Sequence, residues 1–170
     1  MDRILFRSIN QLAGRYNIID SVMIFASKRL RYIYLLILIF LCINNSSSRE
    51  VAKNAIKSAC ITWLLHFLSK TFYFKPRPFL FHRVGILIPS KMDSSYLSKH
   101  TILAFAVSTS IYLKQYTLGK LMTKLSILTG FSRIWVGHHY PSDIIRSAFL
   151  GATISYFVDK FSLYKSDHLS

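Results

Sequence analysis

The chain has 170 residues, 52% hydrophobic and 15% aromatic, and carries 22 Lys+Arg against 7 Asp+Glu for a net charge of +15. That length suits one domain and is short for two. The charge alone fits a nucleic-acid binder, but a mean hydropathy of +0.34 argues against nucleic acid as a partner; a membrane protein whose Lys and Arg side chains snorkel to the interface fits both numbers.

Taken in chain order, residues 2–13 put Arg3, Arg7 and Asn10 on one side of a helix and Leu5, Ile9 and Leu12 on another. That amphipathic pattern suits the membrane interface. A short apolar piece, "IIDSVMIFA", follows before Lys28-Arg29-Leu30-Arg31, so residues 1–28 read as an interfacial segment. Five apolar blocks come next, at 30–47, 52–72, 99–114, 118–136 and 141–160, and 161–170 is a polar tail. Uninterrupted cores such as "YIYLLILIFLCI" and "SACITWLLHFLS" fall short of the roughly 20 residues that span a bilayer, so each block must include flanking Lys or Arg. A soluble bundle would intersperse acids over its surface, and this chain has few. The expected fold class is all-α: an integral membrane helical bundle of about five transmembrane helices plus an N-terminal interfacial helix. One domain covers 1–170, with the bundle at 30–160. The first apolar run starts near Tyr32 and "NNSSS" after it lacks a small-residue cleavage site, so that run reads as a retained helix. Cys42 and Cys60 have no C-x-x-C spacing and read as free core thiols.

The connections are uneven. Those near 45–51 and 114–118 are short, whereas Tyr73 to Ser98 is long and carries Pro76, Pro78, Gly85 and Pro89. Long loops in compact proteins are usually functional or disordered. With five spans, this loop emerges on the same face as the 137–141 junction, which makes that face the candidate active surface. Arg49, Lys53, Lys57, Lys114, Lys120, Lys124, Lys160 and Lys165 gather on the opposite face, cytoplasmic by the positive-inside rule. The active face is then extracellular, although Lys28, Arg29, Arg31, Arg83 and Lys91 make it basic too.

Three clusters carry chemistry. In "KTFYFKPRPF", Lys70 and Arg77 bracket the end of the second block, and an arginine between Pro76 and Pro78 sits on stiff backbone suited to a fixed anion contact. In "YLSKHT", Ser98 has the position of an N-cap, placing the N–H groups of Lys99 and His100 at a helix N-terminus, a ready anion site. In "GFSRIWVGHHYPSD", Pro141 suits the first position of a helix capped by Tyr140. Asp143 is then the third helical residue, able to reach back past the cap and hold one ring nitrogen of His139 as N–H. The other nitrogen is left as nucleophile or base. Arg133, near the end of the preceding helix, offers planar donors to a phosphate. His138, its immediate neighbour, points away in an extended chain.

Metal binding by His100, His138, His139 and Asp143 is the competing reading, but there is no H-x-x-x-H or paired-carboxylate spacing, so no metal and no cofactor are expected. His66, beside Trp63, reads as packed against a neighbouring helix; His82 decorates the loop and His168 lies in the tail.

Together the clusters resemble the signature of the type 2 phosphatidic acid phosphatase superfamily: K-x6-R-P, then P-S-x-H, then S-R-x5-H-x3-D. Lys70 with Arg77-Pro78 matches the first, and Ser132-Arg133, His139 and Asp143 match the third in full spacing. Within the superfamily, "FKPRPF" and "LTGFSRIWVGHHYPSD" look most like the bacitracin-resistance type of undecaprenyl-diphosphate phosphatase. The resemblance implies a bacterial, multi-pass enzyme acting without metal on a polyprenyl diphosphate among membrane lipids, supporting carrier recycling in cell-wall synthesis. His139 would form a phosphohistidine with Asp143 orienting its ring, and His100 would protonate the leaving oxygen. Lys70, Arg77, Ser98, Arg133 and the backbone N–H of Lys99 would hold the phosphoryl oxygens. Leu97 and Lys99 depart from the second motif, which has proline first and no lysine third. A phosphatidylglycerophosphate or phosphatidate phosphatase, and a catalytically impaired basic membrane protein, are the alternatives; the sequence sets no oligomeric state.

Overall fold

The computed structural model describes residues 1–81, 86–89 and 94–167, so His82, Arg83, Gly85, Lys91 and His168 lie outside the described residues. Helix α1 spans Asp2–Asn10, and α2 spans Asn17–Ile43. Nothing between Asn17 and Ile43 is proline or glycine, so α2 runs straight through Lys28-Arg29-Leu30-Arg31. The expected division between an interfacial segment at 1–28 and a first span from 30 therefore falls inside one helix. Charge interrupts hydropathy there but does not interrupt helix propensity.

Helix α3, Ser46–Phe72, begins at Asn45, whose side chain accepts from the Ser48 N–H at 2.8 Å. It ends ahead of the two prolines, and a single turn, α4, covers Pro78–Phe81. Helices α5, Lys99–Lys114, and α6, Tyr116–Trp135, are joined by Gln115 alone. Helix α7 runs Pro141–Asp167 and so takes in most of what reads as a polar tail. Five long helices and a short N-terminal one match the expected number, and all regular structure among the described residues is helical.

Helix α5 is the centre post, packed against α3, α6 and α7. Small hydroxylated residues gather around it: Ser58, Thr62, Ser126, Ser147 and Ser155 are buried, as are its own Ser108 and Ser110. They bond one another across helices, Ser110 to Ser155 at 2.6 Å and Ser126 to Ser108 at 3.1 Å, with Tyr34 bonding Ser126 at 2.8 Å. Close approach demands small residues; a Cβ added at Gly151 would collide with the Ile102 carbonyl. The outside is the reverse, with Ile145 70% and Phe149 69% exposed on α7. An interior that mixes hydroxyls with aliphatic side chains such as Val107 and Ile111, under an apolar exterior, is the arrangement of a bundle solvated by lipid. No helix among the described residues is, taken singly, long and apolar enough to cross a membrane. The inner face of each helix dilutes the apolar outer face.

The bundle has two distinct ends. At one, buried Asp159 of α7 accepts from Asn54 at 3.2 Å and lies 3.6 Å from Lys114. At the other, the ends of α3 and α6 and the starts of α5 and α7 come together, and α1 packs against α6 and α7.

Candidate active site

Helix α6 ends in a Schellman turn. The Gly137 N–H bonds the Ile134 carbonyl and the His138 N–H bonds the Arg133 carbonyl, both at 3.0 Å, with Gly137 at φ 84°. That φ strains any residue with a Cβ. Helix α7 starts as the sequence predicts: the N–H of Asp143 donates to the Tyr140 carbonyl at 3.0 Å, and Asp143 Oδ2 accepts from the Tyr140 N–H at 3.0 Å. His138 and His139 are thus pinned between two well-capped helix ends.

His139 is buried, and its Nδ1 lies 3.1 Å from the Ser95 carbonyl. A carbonyl only accepts, so Nδ1 carries the proton and the neutral ring has its lone pair on Nε2. Asp143, expected from its spacing to hold this ring, has other partners. Asp143 Oδ2 is taken by the Tyr140 N–H, and Oδ1 by Lys75 Nζ at 2.5 Å, with Arg146 at 3.7 Å. The carboxylate locks the junction; a backbone carbonyl sets the tautomer. Burial above all, then Arg77 and Arg133, holds the His139 imidazole well below its ordinary basicity. The ring is therefore neutral at pH 7.

His138 turns its Nε2 to the Ile88 carbonyl at 2.7 Å, while its own carbonyl accepts from Arg77 at 3.3 Å. Arg77 follows a stretch tied to residues 94–96, where the Ser95 N–H bonds the Lys75 carbonyl at 2.7 Å and Ser94 Oγ bonds the Tyr73 carbonyl at 2.9 Å. Arg133, in the last turn of α6, is buried and donates to Ser27 Oγ on α2.

A cavity of about 590 Å³ opens at this end, and His139, His100, Lys70, Arg77, Lys99 and Arg133 line it. Six of the eight residues singled out from sequence share one chamber, contributed by α3, α5, α6 and the connections that carry Arg77 and His139. Ser98 and Asp143 do not reach its wall and are fully buried. Ser98 does precede α5, but its hydroxyl accepts from Thr101 at 3.0 Å instead of capping, and its N–H donates to Ser147 at 2.8 Å. A cluster of cations facing a neutral imidazole in a recessed chamber has the chemistry to bind an anion and to supply a nucleophile.

Residues 52–167, which contain all three motifs, match the PAP2 superfamily. The chain belongs to the PAP2 superfamily. It is similar to undecaprenyl-diphosphatase BcrC of Bacillus subtilis (strain 168), 35% identical over 159 residues that cover 93% of this chain and 82% of that one. Among solved structures, LpxE of Aquifex aeolicus has a TM-score of 0.79 at 27% identity, covering 94% of each chain. A transmembrane PAP2 type phosphatidylglycerolphosphate phosphatase from Bacillus subtilis shares the fold, with a TM-score of 0.73 at 14% identity over 96% of this chain and 85% of that one. The family and the apolar exterior together make this a membrane protein.

Two features of the PAP2 site escape a motif search. Lys75 sits within the first motif's K-P-R-P stretch and is the direct partner of Asp143, yet nothing in the signature marks it. His66, expected to pack against a neighbouring helix, lines the chamber wall together with Trp63. His66 lies one helical turn before Lys70 on α3, and that i, i+4 spacing is the signal that places both on one face.

Proposed function

We propose that this protein hydrolyses undecaprenyl diphosphate to undecaprenyl phosphate and phosphate, recycling the lipid carrier of bacterial cell-wall synthesis and opposing bacitracin. The observation that carries the reading is the chamber that sets a neutral His139 against Arg77, Arg133, Lys70 and Lys99. The relationship to BcrC of Bacillus subtilis supports the substrate. His139 Nε2 attacks the terminal phosphorus, forming a P–N bond as the bridging P–O bond breaks. His100, as the imidazolium that the negative charge of the bound diphosphate favours, gives its proton to the bridging oxygen, and lipid monophosphate leaves. His100 then takes a proton from water, whose oxygen attacks phosphorus and restores His139. The Ser95 carbonyl faces the Nδ1–H throughout, stabilising the charge the ring gains in the intermediate. Ser98 positions the start of α5 through Thr101 and Ser147, and Asp143 fixes the junction that carries His139. No step calls for a metal ion. The chain crosses the membrane five times and holds the chamber at the extracellular face.

The test is phosphate release by purified protein in detergent with a chelator present, from polyprenyl diphosphate and from phosphatidylglycerophosphate. The wild type releases phosphate from the diphosphate, and His139→Ala slows it by about a thousandfold or more. Release from neither lipid removes the enzymatic reading, and faster release from the phosphatidylglycerophosphate reassigns the substrate. A chelator-abolished rate requires a metal.

A further inference from the structure

The chamber that holds His139 meets a second cavity. This one is about 330 Å³ and mostly apolar, walled in part by Tyr34, Leu35, Leu38 and Val107. The two cavities share three residues: Arg31, Lys99 and His100. Polar chamber therefore turns into apolar groove at a neck that carries two cations. Arg31 stacks over the Tyr32 ring at 4.9 Å and donates to its hydroxyl at 3.0 Å. Among the described residues, neither Arg31 nor Lys99 has a carboxylate within ion-pairing distance. Both side chains are exposed at the neck, and a guanidinium and an ammonium placed there present donors to an anion that enters.

We propose that Arg31 and Lys99 form a second anion subsite that takes the lipid-proximal phosphate of a diphosphate, so that the enzyme selects lipid diphosphates over lipid monophosphates. This rests on the phosphatase reading above. Once the terminal phosphate lies between Arg77 and Arg133 with His139 in line, His100 must reach the bridging oxygen. In a diphosphate that oxygen is bonded to a second phosphorus, which lies on the side of His100 away from His139. That side is the neck. The tail then continues into the apolar groove. In a monophosphate ester the bridging oxygen is bonded to carbon, and the two cations face no charge. Arg31 comes from α2, outside the three motifs, so the same phosphoryl-transfer core can serve either substrate class while this helix sets the preference.

The experiment compares a prenyl diphosphate with the monophosphate of the same prenyl chain, so that the tail is constant. Where the monophosphate is not turned over, its Ki as a competitive inhibitor replaces its kcat/KM. Arg31→Gln lowers the diphosphate-to-monophosphate preference by about tenfold to a hundredfold, the loss of one charge-assisted contact. Arg29→Gln, the same charge change on the same helix outside the cavities, leaves the preference where it was. Wild-type activity on the diphosphate with an unchanged preference in Arg31→Gln overturns the subsite and spares the phosphatase reading. Wild-type protein inert toward the diphosphate overturns both.

Discussion

At His139 the decisive contact is with a backbone oxygen, Ser95, 3.1 Å from Nδ1. The neutral tautomer it selects has a consequence for stability. Burial, Arg77 and Arg133 depress the folded basicity of His139, whereas the unfolded chain takes up its proton near pH 6.5. As the pH falls, the unfolded state therefore binds that proton first. The stability His139 contributes is complete above about pH 6.5 and is lost as the pH drops toward the lower folded value. Chemical denaturation between pH 7.5 and 5 shows a shallower acid limb in His139→Gln; an identical limb assigns the loss to other groups. Lys75 is the second residue to probe, because Asp143 is fully buried and Lys75 is its nearest cation. Lys75→Met lowers kcat about tenfold with little change in KM, the size of one charged hydrogen bond, and Lys75→Arg restores most of it. A change confined to KM would place Lys75 on the substrate instead.

Helix α1 does more than rest on a membrane surface. Its amphipathic pattern predicts Asn10 on an outward polar side, but Asn10 is buried and donates to the Trp135 carbonyl at 2.8 Å. Phe6 is fully buried against the Tyr140 ring, 5.4 Å away and edge-on. Asp2 accepts from the Ser142 N–H at 2.9 Å and its Oγ at 2.6 Å, with Lys75 at 3.5 Å. Burial opposes ionisation of Asp2, but the Ser142 bonds and Lys75 outweigh it and keep its carboxyl below the usual range. The helix is a clamp on the loop that carries His139. Phe6→Ala costs about 3 kcal/mol, read as a lower unfolding temperature in detergent, and a loss below about 0.5 kcal/mol would mean that α1 is not docked in solution. Helical periodicity had marked Leu5, Ile9 and Leu12 as one apolar face without saying that Phe6 and Asn10 face protein.

Across the whole molecule, polar levels mark both ends. Asp143 and Asp159 stand sixteen positions apart on α7, about 24 Å along a helix, somewhat less than the roughly 30 Å hydrocarbon core. Lys28 and Lys120, both exposed, lie toward opposite ends of the bundle. With Cys42 and Cys60 replaced by alanine, cysteine at 28 reacts with a membrane-impermeant maleimide on intact cells, and cysteine at 120 reacts only after the membrane is opened. The opposite pattern would turn the active site to the cytoplasm.

The helix count, the capped start of α7 and six of the side chains in the chamber are legible from the residues alone. Those features depend on local spacing: proline positions, an N-terminal carboxylate, and cations at helix ends. Only the tertiary structure decided that Ser95 holds His139, that Lys75 rather than the imidazole meets Asp143, and that Arg31 reaches the neck between the cavities. A backbone carbonyl leaves no mark in sequence, and helical period says which residues share a face without naming the neighbour that covers it. In a bundle with an apolar exterior, hydrophobicity no longer tells inside from outside, so α1 and α2 became legible only when packed.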